Sequence, residues 1–168
     1  REDLLKQQYQ NADDRPHRNA IESILPGDIL VIDACGSFEA GIVGDMYTRR
    51  IQELGGCGIV IYGCVRDMST ISTIGLPLFC MGSHGAGISR ALMSVDYQQP
   101  IRIGNTPVLP GDILLGDKDG VARHGIVALE RRAERLRRHI VPPKVGVAEQ
   151  EHEHIVRGTF GCDSRRGL

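Results

Sequence analysis

Aromatic side chains and a surplus of either charge are both missing from this sequence. It has no tryptophan, and aromatic residues make up only 4 % of its 168 positions. Such a chain offers little to the base-stacking surfaces that bind single-stranded nucleic acid. Its 20 lysines and arginines are balanced by 21 aspartates and glutamates. Because no overall field attracts nucleic acid or an anionic membrane, we expect neither as a partner.

Long apolar runs and closely paired cysteines are missing as well. No apolar stretch approaches the roughly 18 residues of a membrane-spanning helix, and no secretory signal pattern is present. The cysteines lack the Cys-x-x-Cys spacing of zinc and redox sites, and they stand at Cys35, Cys57, Cys64, Cys80 and Cys162. Most lie inside apolar runs, which predicts small buried thiols in a reducing compartment. We therefore expect a cytoplasmic protein.

The composition is that of one globular domain. Hydrophobic residues make up 41 % of the chain, and its length is about that of a single domain, so we treat 1–168 as one unit. Residues 1–20 are rich in Gln, Asn, Asp and Arg, which predicts an exposed polar segment. Pro142 and Pro143 end a helical pattern, and we expect a C-terminal tail over 141–168.

A strand–helix–strand pattern occupies the first half of the chain. Residues 29–32 and 58–63 are continuous apolar runs, which are typical of buried strands. Between them we predict a small-residue loop over 36–44 and a helix over 45–54. These lengths are those of a βαβ unit.

The second half begins with a short helix over 68–74 and a strand over 78–81, and then becomes rich in β-structure. Pro and Gly separate short predicted strands at 101–103, 108–109, 113–115 and 121–123. An apolar stripe predicts a helix over 127–140, and 149–157 favours a last short helix. The overall prediction is α/β, then β-rich, with a C-terminal helix.

One hexapeptide occurs twice in the chain. Leu-Pro-Gly-Asp-Ile-Leu stands at 25–30 and again at 109–114. This repetition suggests one turn-and-strand unit used twice, although a single six-residue match does not establish a repeat fold.

Acidic residues follow both strands of the predicted βαβ unit. Asp45 begins the helix after Gly44, and Asp67 comes just past the second strand, next to Arg66. The loops after such strands gather at one edge of the sheet, where ligands usually bind. We therefore expect these residues at the same edge, where the Arg66 guanidinium suits a carboxylate.

The same edge is expected to attract an anion and a hard cation. The backbone N–H groups of Met46 and Tyr47 lie in the first turn of the predicted helix, where they favour an anion. Carboxylates with few His or Cys nearby suit Mg²⁺ or Mn²⁺. Simpler interpretations stay open, because Asp45 also suits the first turn of any helix and an Arg-Asp pair also occurs at ordinary surfaces.

The spacing of these residues resembles the signature of the RraA-like family. Gly44 and Asp45 are followed, after twenty residues, by Arg66 and Asp67. That family includes the class II 4-hydroxy-4-methyl-2-oxoglutarate / 4-carboxy-4-hydroxy-2-oxoadipate aldolases. Three longer segments carry the same resemblance, at 26–33, 58–67 and 110–121.

The resemblance implies a fold and an assembly. The fold is a three-layer β/β/α, swivelling-domain-like architecture, and the assembly is a homotrimer or homohexamer with active sites between subunits. It also implies an N-terminal portion, which we expect to be missing here, and an acid from a neighbouring subunit. Glu130 and Glu134 are the candidates for that acid.

The resemblance further implies roles for the residues of the predicted site. Asp67 would bind Mg²⁺ or Mn²⁺ directly, and Asp45 would bind it through water or orient a base. Arg66 would bind and polarise a 2-oxo acid substrate. Gly44 and the amides near Met46 and Tyr47 would hold the substrate carboxylate. The implied reaction is retro-aldol cleavage that releases pyruvate, with oxaloacetate decarboxylation as a side activity.

Other readings remain open. The same family contains regulators that bind and inhibit an RNA-degrading endonuclease, and the chain could be an inactive member. His84 and Arg90 could contact the distal end of a substrate, or they could belong to a solvated loop. The stretch 151–154, Glu-His-Glu-His, could bind a metal, although a solvated polar segment is favoured.

Overall fold

The protein is described by a computed structural model that covers residues 15–125 in full and the backbone of 154–162. The predicted helix over 127–140, including Glu130 and Glu134, lies outside these residues. Within them the helices are α1 (Pro16–Glu22), α2 (Asp45–Glu53) and α3 (Met68–Ile74), with a 3₁₀ turn at Ile88–Arg90. None of the helices in this part of the chain is long and apolar enough to cross a membrane.

The strands follow the predicted order, with several additions. They are β1 (Asp28–Gly41), β2 (Gly58–Val65), β3 (Leu78–Phe79), β4 (Gly82–Ser83), β5 (Ser94–Tyr97), β6 (Ile101–Ile103), β7 (Thr106–Val108), β8 (Ile113–Asp117), β9 (Gly120–His124) and β10 (His154–Cys162). The main sheet has the order β3-β2-β1-β10-β8-β9. β1 pairs in parallel with both β2 and β10, whereas β8 pairs antiparallel with β10 and β9.

The main sheet is covered on both faces, which produces three layers. Leu30 and Ile32 of β1 are fully buried and pack in the cluster formed with the helices. Ile29 and Val31 face the other way, into a second cluster with Ile101 of the β6–β7 hairpin. A strand covered on both sides needs a continuous apolar run, and residues 29–32 supply it. The predicted β/β/α layering is therefore confirmed.

The repeated hexapeptide forms the same turn twice. In residues 25–28 and 109–112, the leucine N–H donates to the aspartate Oδ2 at 2.8 Å. The aspartate N–H donates back to the leucine carbonyl at 3.0 Å in both copies. Gly27 and Gly111 both have φ of +90°, the conformation that the third position of a type II turn requires. The repetition in sequence is thus a repetition of local structure.

The predicted loop over 36–44 is wrong in its first six residues. β1 continues to Gly41, and its pairing with β2 shifts register between Asp33 and Ser37 and again before Gly41. Each shift lets extra residues bulge out of the ladder. Cys35 lies in the first bulge with φ of +55° and is exposed, and Cys57 and Cys80 are only partly buried. Among the described cysteines, only Cys64 is the buried thiol that was expected.

Two further expectations are wrong. Part of the polar segment over 1–20 is helical, because α1 buries Ala20 and Ile21 against the core. The second concerns the C-terminal tail, in which a helix was expected over 149–157. Residues 154–162 form the strand β10 instead. Their sequence, His-Ile-Val-Arg-Gly-Thr-Phe-Gly-Cys, contains three β-branched residues, and pairing with β1 and β8 decides the outcome.

Candidate functional site

Three chain segments meet at the carboxyl end of β2. The Arg66 N–H donates to the Val43 carbonyl at 2.9 Å, which joins the end of β2 to the chain after β1. On the other side, the His84 N–H donates to the Val65 carbonyl at 2.8 Å. A Cβ on Gly41 would lie only 2.7 Å from the Arg66 Cβ and from the His84 carbonyl oxygen. The segments therefore pack too closely for any side chain at Gly41.

Gly44 brings the two predicted motifs into contact. A Cβ placed on this glycine would lie 2.6 Å from Asp67 Oδ2 and 2.7 Å from Arg66 Nε. Gly44 has φ of −112°, which any residue can adopt, so the space and not the backbone conformation requires glycine here. The structure thus places the residues of both motifs at one edge of the sheet.

Arg66 and Asp67 form an ion pair that does little for the fold. Arg66 Nε lies 3.5 Å from Asp67 Oδ2, and the two side chains are 42 % and 44 % exposed. Exposed pairs of this kind contribute about 0–1 kcal/mol to stability. The pair is therefore available to a ligand at small cost to the fold.

The backbone of Asp67 adopts the left-handed conformation, with φ of 56° and ψ of 34°. Aspartate tolerates this region better than most residues. Asp67 precedes α3, yet its carboxylate makes no capping hydrogen bond; only its carbonyl accepts the N–H groups of Thr70 and Ile71. The carboxylate is directed towards Gly44 instead, so helix capping does not explain this residue.

The Asp45 side chain is hydrogen-bonded to one of the two amides that were predicted to hold a substrate carboxylate. Its Oδ1 accepts the Met46 N–H at 2.8 Å. A first-turn acid of this kind is stabilised by the helix dipole, so the simpler interpretation of Asp45 fits the geometry too. The Tyr47 N–H is a first-turn amide, which has no partner inside its helix. An anion bound here would have to replace the Asp45 carboxylate at the Met46 amide.

The Tyr47 side chain takes part in a contact that the sequence did not predict. Its hydroxyl lies 3.3 Å from His17 Nε2, and His17 Nδ1 lies 3.4 Å from the hydroxyl of buried Ser94. Burial lowers the pKa of His17, and the neighbouring charges of Arg15 and Arg18 lower it further. This cluster joins α1, α2 and β5 beside the site, and no sequence motif marks it.

The oxygen donors of the site fit a weakly held hard cation. Among residues 15–125, no three His, Cys, Asp or Glu side chains come close enough together to hold a metal. Asp67 and Asp45 would supply at most two carboxylates, which suits Mg²⁺ because that ion keeps several of its waters. Structural zinc, which takes four protein ligands, does not fit these donors. Residues 151–153 of the Glu-His-Glu-His stretch lie outside the described structure.

An apolar pocket of about 400 Å³ lies beside α3, and neither of these carboxylates lines it. It is lined by Met68, Ile71, Ser72, Gly75, Leu76, Leu78, Phe79 and Cys80. Burial raises the pKa of the Cys80 thiol, so this sulfur stays protonated near neutral pH. The pocket contains none of the residues that the sequence singled out for chemistry.

Sequence relatives share this part of the chain. A family model described as RraA-like, Aldolase/RraA, matches residues 7–123. A proposed 4-hydroxy-4-methyl-2-oxoglutarate aldolase of Halalkalibacterium halodurans is 35 % identical over 102 residues, which are 61 % of this chain and 48 % of that protein. One from Aromatoleum aromaticum is 33 % identical over 105 residues, 62 % of this chain and 65 % of that protein. The chain thus spans about half to two thirds of these relatives.

Solved structures agree with the sequence relatives on the fold. Streptomyces coelicolor RraAS2, described as an unusual member of the RNase ES inhibitor RraA family, superposes with a TM-score of 0.67. It is 32 % identical, and the match covers 73 % of this chain and 62 % of that one. The RNA-processing inhibitor RraA from Thermus thermophilus is 29 % identical with a TM-score of 0.52, over 62 % and 63 % of the two chains. Because the family model spans well over half of its residues, the chain belongs to the RraA-like family.

Proposed function

We propose that the protein is a divalent-metal-dependent lyase that cleaves a 4-hydroxy-2-oxo diacid, such as 4-hydroxy-4-methyl-2-oxoglutarate, to pyruvate. Oxaloacetate decarboxylation would be its side activity. The observation that carries the proposal is the seating of Gly44 against Asp67 Oδ2 and Arg66 Nε, which unites both motifs at one edge. The names of the relatives at 35 % and 33 % identity support the same reaction class.

The carboxylates of the site would hold the metal. Asp67 would bind Mg²⁺ or Mn²⁺ directly, and Asp45 would reach it through a water molecule. When bound, such an ion supplies a Lewis acid that polarises the substrate and stabilises developing negative charge.

Arg66 would recognise the 2-oxo acid end of the substrate. Its guanidinium is planar and can form two parallel hydrogen bonds to a carboxylate, which a lysine cannot do. The contact between Arg66 Nε and Asp67 Oδ2 orients one side of the guanidinium. The loop glycine Gly87 lies beside Arg66 Nη1 on the same group. The Met46 and Tyr47 amides would complete the carboxylate site once Asp45 releases the Met46 N–H.

Cleavage requires that a proton leave the C4 hydroxyl while the C3–C4 bond breaks. The bonding electrons pass to C3 and the 2-oxo group, which produces the enolate of pyruvate, and a proton returned to C3 then gives pyruvate. Arg66 would stabilise the negative charge that develops on the C2 oxygen. Asp45, freed from the Met46 amide, would orient the water that takes the hydroxyl proton.

The first test is pyruvate release from 4-hydroxy-4-methyl-2-oxoglutarate and from oxaloacetate, with Mg²⁺ and with EDTA. We expect release that depends on the metal, and a loss of at least tenfold in kcat/KM for Asp45→Asn. Asp96→Asn is the matched control, because Asp96 Oδ1 accepts the N–H of the next residue, Tyr97, at the same 2.8 Å, and both hydrogen bonds are exposed. Release that persists in EDTA would contradict the proposal.

A regulatory protein is the second candidate, because the two solved relatives are described as RNase or RNA-processing inhibitors. It predicts binding to an RNA-degrading endonuclease that Arg66→Lys and Asp67→Asn leave unchanged. A folded protein that binds such a nuclease and releases no pyruvate with any metal would favour it. We also propose a homotrimer or homohexamer, which light scattering after size-exclusion chromatography would test.

A further inference from the structure

We infer that His84 is a specificity-determining residue that binds the second, distal carboxylate of the diacid substrate. This inference rests on the proposed function and extends it from the 2-oxo acid end to the other end of the molecule. It starts from the position of His84 beside Arg66. β4 pairs in parallel with β2, with Ser83 opposite Val65, so the next residues along, His84 and Arg66, lie side by side.

The backbones of the two residues are close enough for one small diacid to reach both side chains. Neighbouring strands lie about 4.8 Å apart. In a five-carbon diacid, four C–C bonds of about 1.5 Å each separate the carboxylate carbons by roughly 5 Å in an extended chain. A substrate held by Arg66 at one end can therefore reach His84 with the other.

The loop that carries His84 is fixed to the site on both sides. The His84 N–H bonds to the Val65 carbonyl, and the Gly41 N–H donates to the Ala86 carbonyl at 2.8 Å. Gly87 pairs with Gly41 across an isolated parallel bridge, and a Cβ on Gly87 would lie 3.6 Å from Arg66 Nη1. The loop is thus held next to the Arg66 guanidinium, where it can form one side of a substrate-binding site.

The imidazole itself is oriented by its own loop. The Ala86 N–H donates to His84 Nδ1 at 3.0 Å, so Nδ1 acts as the acceptor. In the neutral ring the proton is then on Nε2, on the opposite side of the imidazole. The ring is half-buried, and within residues 15–125 no hydrogen bond is formed by Nε2. This N–H is therefore left as a donor for an anion.

Two substitutions separate this role from a purely structural one. Asn in place of His84 keeps an oxygen that can accept the Ala86 N–H, but it has no donor at the position of the His84 Nε2–H. Gln in place of His84 carries a donor at about the distance of Nε2 but lacks the near acceptor. If His84 only closes the loop, H84N should behave as wild type and H84Q should be impaired. If His84 binds the distal carboxylate, the order is reversed.

The measurement is calorimetric binding, in Mg²⁺, of 2-oxoglutarate, which has both carboxylates, and of pyruvate, which has one. We expect wild type to prefer 2-oxoglutarate, and H84N to lose about tenfold in affinity for it, as expected for one hydrogen bond to a charged group. Pyruvate affinity should change less than twofold, and H84Q should keep most of the preference. No preference in wild type, or the same preference in H84N, would overturn the inference.

The binding measurement is independent of turnover. If wild type releases no pyruvate from any 4-hydroxy-2-oxo acid but its preference for 2-oxoglutarate depends on His84, the proposed reaction is wrong and the role of His84 stands. If pyruvate is released and the preference is indifferent to His84, the reaction stands and this inference is wrong.

Discussion

Replacing Gly44 with alanine isolates the contact on which the site depends. The added methyl would lie 2.6 Å from Asp67 Oδ2 and 2.7 Å from Arg66 Nε, whereas ordinary contacts begin at 3.4 Å. Both side chains would have to move by about 0.7 to 0.8 Å. Because misplacement of reacting groups by about 1 Å can cost 10²-fold, we expect kcat/KM to fall roughly 100-fold. That loss corresponds to about 2.7 kcal/mol of transition-state stabilisation.

Stability should respond far less than activity to this substitution. Alanine can adopt the φ of −112° at this position, and the atoms that must move belong to half-exposed side chains. We expect the free energy of unfolding to change by less than about 1 kcal/mol, because alanine also restricts the unfolded chain. Gly82→Ala is the control, since the nearest atom to a Cβ there, Phe38 Cε1, lies at an ordinary 3.4 Å. A G44A protein with wild-type kcat/KM, or one that fails to fold, would refute this reasoning.

Three other perturbations have expected outcomes. Asp67→Asn should keep the left-handed backbone and the melting temperature but lower metal-dependent turnover at least 100-fold in the pyruvate assay. Asp112→Ala should lower the free energy of unfolding, measured in urea, by about 2 kcal/mol, because it leaves Arg123 and the Leu109 N–H without a buried partner. Asp112→Asn should lower the free energy of unfolding less, since its amide oxygen can still accept the Leu109 N–H. The pKa of His17 is lower in the folded protein than in the unfolded chain, so the unfolded chain takes up the proton at a higher pH. The free energy of unfolding measured in urea should therefore fall as the pH drops below about 6.5. His17→Gln should weaken that pH dependence.

The sequence predicts the sheet best where the chain is covered on both sides. The apolar runs 29–32 and 58–63 lie within β1 and β2, and the helix predicted over 45–54 is α2 to within one residue. Local signals fail where tertiary pairing decides. β1 continues past two register shifts through small residues, and 154–162 forms a strand because β1 and β8 accept it.

The candidate site shows the same division. The position of each motif after its strand was enough to place Asp45, Arg66 and Asp67 at one edge of the sheet. The close approach at Gly41 could not be read from the sequence, because it depends on the separation of three segments in space. The dense glycines of 36–44 and 82–87 are the signal that could have indicated it. The roles of these residues in catalysis stay predictions.

The position of β10 has a consequence for how the protein is made. This strand lies between β1 and β8, although more than a hundred residues separate it from β1 along the chain. During synthesis on the ribosome, β1 and β2 emerge before β10, and the far side of β1 stays uncovered until residue 162 has left the exit tunnel. An uncovered strand edge is a template for pairing with other chains. The nascent chain therefore carries an aggregation-prone edge from the emergence of β1 until that of β10, and a ribosome that stalls before residue 154 would leave that edge as a substrate for chaperones.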